Sequence, residues 1–171
     1  MSRRLTTCAD LSRITFKQIE CMGFVLRRID RRGDVLRGIL LSEGERVCDT
    51  LEEASTALAP GSYPIERVYC IAQQRFVPLI RTGKRLACAR CPKCASDSLN
   101  GRLPRCCPQF RPGNGAHHRR DGTIIVGQSI GVNGCPVWGL LLHPKATFIR
   151  LKERLRKALN RGQGCWLRVE A

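Results

Sequence analysis

The chain predicts a mainly β fold of the α+β kind, with antiparallel strands, one helix near the C-terminus and one long cysteine-rich loop. Three observations carry this expectation. Short apolar runs of strand length alternate with glycine-bearing turns through the first half. Apolar residues at helical spacing occur in a single stretch, after Pro144. Between residues 82 and 122 neither period is present, and prolines and cysteines take over.

Each element has its own signal. Residues 21–29 are rich in β-formers, and Asp30-Arg31-Arg32-Gly33-Asp34 breaks them. Val35 to Leu41 forms a second strand, Ser42-Glu43-Gly44-Glu45 a second turn, and residues 46–51 a third strand, which together suggest an antiparallel meander. Pro60-Gly61-Ser62-Tyr63-Pro64 opens a further strand over residues 65–71. Strand character returns at residues 123–126 and again at 137–142. Pro144 then sits at the first position of a helix whose apolar stripe is Phe148, Leu151, Leu155 and Leu159. Arg150, Arg154, Lys157 and Arg161 line another face, and Gly162 stops the helix. Residues 165–169 read as a closing strand.

Composition bounds the class. A length of 171 residues with 43% hydrophobic content is enough for one domain with a sizeable core. Residues 1–14 read as an N-terminal extension and 15–171 as the domain, its loop at 82–122. No run reaches the roughly 18 apolar residues of a membrane span. The first residues, Met1-Ser2-Arg3-Arg4-Leu5, carry no continuous apolar stretch of the secretory kind, so the expected location is cytoplasmic or virion-associated.

Thirty Lys and Arg against 14 Asp and Glu leave a formal charge of +16. Guanidinium groups bind phosphate and carboxylate in bidentate geometry, so an acidic partner is expected. Nucleic acid leads that class, with a protein assembly or an anionic cell-envelope polymer behind it. The candidate contacts are Arg85, Arg90, Lys93, Arg102, Arg105, Arg119 and Arg120 in the loop, and Arg150, Arg154, Lys157 and Arg161 on the helix. Aromatic residues make up only 5% of the chain, which argues for backbone contacts rather than a base-stacking platform.

Eleven cysteines are many for a chain expected in the cytoplasm. Cys21, Cys70, Cys135 and Cys165 sit alone in apolar stretches, where a thiol behaves as a small hydrophobe. Cys88, Cys91 and Cys94 stand at C-x-x-C-x-x-C spacing, followed by Cys106 and Cys107. Such spacing brings thiolates to one tetrahedral ion, and His117 is a further candidate ligand. Zinc is the first expectation, since metal binding would also tie down the long loop. An iron–sulfur cluster, disulfides and free thiols are the alternatives.

Several pieces then line up in order: Val47-Cys48-Asp49-Thr50-Leu51-Glu52-Glu53, Ala59-Pro60-Gly61-Ser62-Tyr63-Pro64-Ile65, Leu103-Pro104, Pro112-Gly113-Asn114, and Asp121-Gly122-Thr123-Ile124-Ile125-Val126-Gly127. Over residues 20–160 this pattern resembles a family of bacterial and phage proteins of undefined function, remotely similar to L,D-transpeptidases. The resemblance implies a mainly β fold of that type. It also implies a cysteine that attacks a peptide carbonyl of peptidoglycan, activated by a histidine. The matching positions here are Thr123 for the cysteine and Arg111 for the histidine, while Asn114, Asp121 and Gly122 follow the pattern. A guanidinium and an unactivated hydroxyl cannot replace a thiolate and its base. The resemblance therefore implies a non-catalytic relative, acting as a binding or assembly module. Two alternatives stand beside it: a basic, zinc-stapled nucleic-acid-associated protein, and a peptidoglycan-modifying enzyme whose Cys–His pair has moved to Cys106 or Cys107 with His117 or His118.

Overall fold

The computed structural model describes residues 21–70, 75–82, 108–115, 123–132 and 135–170. They form nine strands: β1 (Met22–Arg32), β2 (Val35–Ser42), β3 (Glu45–Glu53), β4 (Gly61–Cys70), β5 (Arg75–Ile80), β6 (Phe110–Pro112), β7 (Ile124–Val132), β8 (Cys135–Leu142) and β9 (Cys165–Glu170). One helix, α1 (Pro144–Asn160), lies between β8 and β9. The mainly β expectation with a C-terminal helix is met.

β1, β2 and β3 are the expected antiparallel meander. The loop between β2 and β3 is Glu43-Gly44, and both residues take positive φ, 54° and 82°. That is the handedness a two-residue hairpin loop needs to match the twist of its strands. The pairings β3–β7, β4–β5 and β7–β8 are antiparallel too, and two others depart from the expectation. β9 runs parallel to β1 while pairing antiparallel with β4, and β6 runs parallel to β7. Residues 110–112, assigned from sequence to the long loop, are strand β6.

The strands follow the order β5-β4-β9-β1-β2-β3-β7-β6, with β8 joined to β7. The two ends of this order meet: the Ile80 amide at the end of β5 donates to the Pro108 carbonyl, two residues before β6, at 3.0 Å. The sheet is thus a nearly closed barrel. Both end strands carry a proline, Pro78 in β5 and Pro112 in β6. An edge position tolerates a residue with no ladder donor.

The inner face of the sheet and the apolar stripe of α1 make one core. Phe24, Leu26, Leu40, Ile65, Ile80, Phe110, Ile124, Val126, Leu167 and Val169 pack with Leu151, Leu155 and Ala158. Of the expected helix stripe, Leu151 and Leu155 are buried and Phe148 and Leu159 are packed at its margin. α1 ends as its sequence predicts: Gly162 takes φ of 72°, its amide bonds to Leu159 and the Gln163 amide to Ala158. These two bonds are the Schellman pair. A second, smaller cluster of Leu51, Ile125 and Leu141, with Val35 beside it, lies on the other face under β8. There the backbones approach so closely that a Cβ on Gly127 would stand 2.6 Å from the Leu141 Cβ.

Candidate functional site

Arg111 and Thr123, the two positions singled out by the resemblance, lie on neighbouring segments of the sheet. Parallel pairing sets Phe110 against Ile124 and Arg111 against Ile125, and Thr123 immediately precedes β7. Side chains alternate across a strand, so Arg111, Thr123 and Ile125 share a face, the one opposite Phe110, Ile124 and Val126. Arg111 is half-buried, and Thr123 is only 3% exposed. The Ile124 amide donates to the Gln109 carbonyl at 3.1 Å, pinning the start of β7 to the start of β6. Asn114, just after β6, is exposed, and its carbonyl accepts the Leu141 amide at 3.0 Å. That bond ties the turn after β6 to β8. Asp121 and Gly122 lie outside the described residues.

A nucleophile must be reachable by its substrate and touched by a base. Thr123 is covered. Among the described residues the histidine is His143, exposed in the residue before α1. Two of the three described cysteines with assigned surroundings, Cys48 and Cys165, are buried, and Cys21 is exposed. Cys21 therefore departs from its expected place inside an apolar stretch. Burial pushes the Cys48 thiol up to about 12, reinforced by the Asp49 carboxylate and opposed by Arg46 and Arg150. Burial also raises Cys165, with Cys21 a further cause. A neutral, desolvated thiol is a packing group, not a nucleophile.

Sequence reasoning missed two polar arrangements. On the inner face, Glu52 is 2% exposed and takes two hydrogen bonds from Arg28, at 3.0 and 3.1 Å. The same guanidinium donates to the Leu58 carbonyl, which holds the chain between β3 and β4 against the barrel. On the opposite face, Asp49 accepts from Arg46 and from the Ser129 amide, the latter at 2.8 Å. β7 pairs with β3 only as far as Gly127 and then passes to β8. The Asp49 carboxylate satisfies a β7 amide just beyond that change of partner. Nearby, the Arg32 and Arg37 guanidinium groups lie 4.5 and 5.5 Å from the ring centre of Trp138. Apart from Arg46–Asp49, which are three residues apart, these contacts join residues far apart in sequence, so no local pattern announces them.

The remaining candidates divide. Cys88, Cys91, Cys94, Cys106, Cys107 and His117 lie outside the described residues, as do Arg85, Arg90, Lys93, Arg102, Arg105, Arg119 and Arg120. Among the described residues no group of three His, Cys, Asp or Glu side chains is placed to hold a metal ion. Arg150, Arg154, Lys157 and Arg161 are all exposed, on one flank of α1. No helix among the described residues is long and apolar enough to cross a membrane. Set against known proteins, the chain matches no family model, no curated protein and no solved structure.

Proposed function

We propose that the protein is a non-catalytic relative of the L,D-transpeptidase-like family, retained as a binding or assembly module. One observation carries the reading. The positions that would hold a cysteine and its histidine sit on one face of the β6–β7 pair, but as a half-buried guanidinium and a buried hydroxyl. Arginine stays protonated in proteins, so Arg111 cannot take a proton from Thr123. It can hold a carboxylate or phosphate, which turns a reactive position into an anion-binding one. Under the same reading the C-x-x-C-x-x-C segment is a zinc-tied element, and the protein works in the cytoplasm or in a particle assembled there.

The test is an intact-mass measurement after incubation with a carbapenem, alongside a peptidoglycan tetrapeptide exchange assay. The expected result is an unmodified chain and no exchange product. An acyl adduct on any residue, with turnover of the tetrapeptide, would overturn the proposal. An adduct mapped to Cys106 or Cys107 would identify relocated chemistry. A native mass carrying one zinc, lost on denaturation, supports the zinc-tied segment, and a metal-free mass with reduced thiols removes it.

A further inference from the structure

The exposed flank of α1 carries a row of cations. Residues 144–160, PKATFIRLKERLRKALN, contain six cations and one acid, Glu153, and Arg161 follows at the C-cap. At 3.6 residues per turn, Arg150, Arg154, Lys157 and Arg161 fall within about 60° of one another around the axis and span about 16 Å along it. All four are exposed. The ion pairs among the described residues use Arg27, Arg28, Arg32, Arg46, Arg81 and Arg168, and none of these four. Among the described residues their charge has no ion-pair partner.

From this row we infer that α1 docks on the phosphate backbone of duplex nucleic acid. A duplex carries one negative charge per about 1.7 Å of axis, so a rigid row of about 16 Å meets several phosphates without folding first. The helix excludes the other common anionic partner. A helix that lies on a membrane inserts an apolar face into the lipid. Here that face, Leu151, Leu155 and Ala158, is already used in the barrel core, and Ile149 is the large apolar side chain left outside, at 55% exposure. No aromatic side chain stands on the cationic flank, so contacts go to phosphates and carry little sequence preference. The surface is separate from the β6–β7 face, and the inference stands whether or not that face binds an anion.

The test is fluorescence anisotropy of the full chain with a random-sequence 20-base-pair DNA between about 50 and 200 mM salt. Four phosphate contacts give a log–log slope of about −3.6. The variant Arg150→Gln/Arg154→Gln/Lys157→Gln is compared with the charge-matched Arg27→Gln/Arg32→Gln/Arg168→Gln, each checked by thermal melting. The helix variant is expected to bind at least about tenfold more weakly at 50 mM salt, with a slope shallower by about 2.7, while the control stays within about twofold. Equal loss in both variants would show diffuse attraction to net charge and overturn the assignment. So would an unchanged helix variant, which places binding elsewhere, or no binding at 50 mM salt. Sedimentation with phosphatidylglycerol vesicles is the final arm: helix-dependent capture by vesicles without DNA binding would also overturn it.

Discussion

The arginines of the sheet and the cations of α1 belong to the same +16 chain but stand in opposite electrostatic conditions. On the sheet, Arg27 and Arg168 share Glu170, Arg28 meets Glu52, Arg32 meets Asp30, Arg46 meets Asp49 and Arg81 meets Glu66. On the helix, six cations accompany one glutamate. These arginines are paired with carboxylates that stand on strands of the sheet, whereas the cations of the helix form no ion pair among the described residues. The first kind of charge belongs to the fold, the second to whatever the fold meets.

Within the sheet, burial decides how much each pair matters. Glu52→Ala would strand the largely covered Arg28 guanidinium and release the Leu58 carbonyl. The expected loss is about 3 kcal/mol or more, read from urea unfolding. If the cost were under about 1 kcal/mol, the pair would be ornamental and the contrast with the helix would collapse.

The Cys48 thiol, with Arg46 and Arg150 both acting on it, the first paired with Asp49 and the second in no ion pair among the described residues, gives a pH-dependent test. Its folded pKa lies near 12 against an ordinary 9.0, so only the unfolded thiol ionises in that interval. The stability that the neutral buried thiol contributes is complete below pH 9 and is lost as pH climbs towards 12. Cys48→Val should fall less steeply over that range than the unsubstituted protein, measured by unfolding at stepped pH. Identical profiles would mean that the thiol reaches water in the folded state.

Smaller effects sharpen the contrast further. Glu170→Ala removes the shared carboxylate of two exposed arginines, and the expected cost is below about 1 kcal/mol. The triple glutamine variant of α1 should change stability by no more than about 0.5 kcal/mol. Glutamine is a comparable helix former, and the substitution relieves repulsion between cations. A large loss there would show that the row is structural and would weaken its assignment to a partner.

How much of this was legible in the sequence follows from how local each feature is. The β1–β2–β3 meander could be read because its turns lie between neighbouring strands. α1 could be read because its stripe, its proline start and its glycine stop fall within 20 residues, and its cationic flank came with the same period. β6 could not be read: three residues bearing a proline become a strand only because β7 lies beside them. The parallel pairing of β9 with β1 joins opposite ends of the chain, and no local pattern encodes it. Arg111 and Thr123 were singled out by the resemblance, but their shared face follows only from the β6–β7 register, and the Arg28–Glu52 and Arg32–Trp138–Arg37 contacts left no trace in the sequence.

The bond between Ile80 and Pro108 has a consequence for the cysteine-bearing stretch between them. The barrel already holds the two ends of that stretch together, so the entropy of closing it into a ring is met by folding rather than by anything it binds. Exchanging residues 83–107 for a glycine–serine linker should therefore leave the melting of the barrel unchanged while taking out Cys88, Cys91, Cys94, Cys106 and Cys107 together.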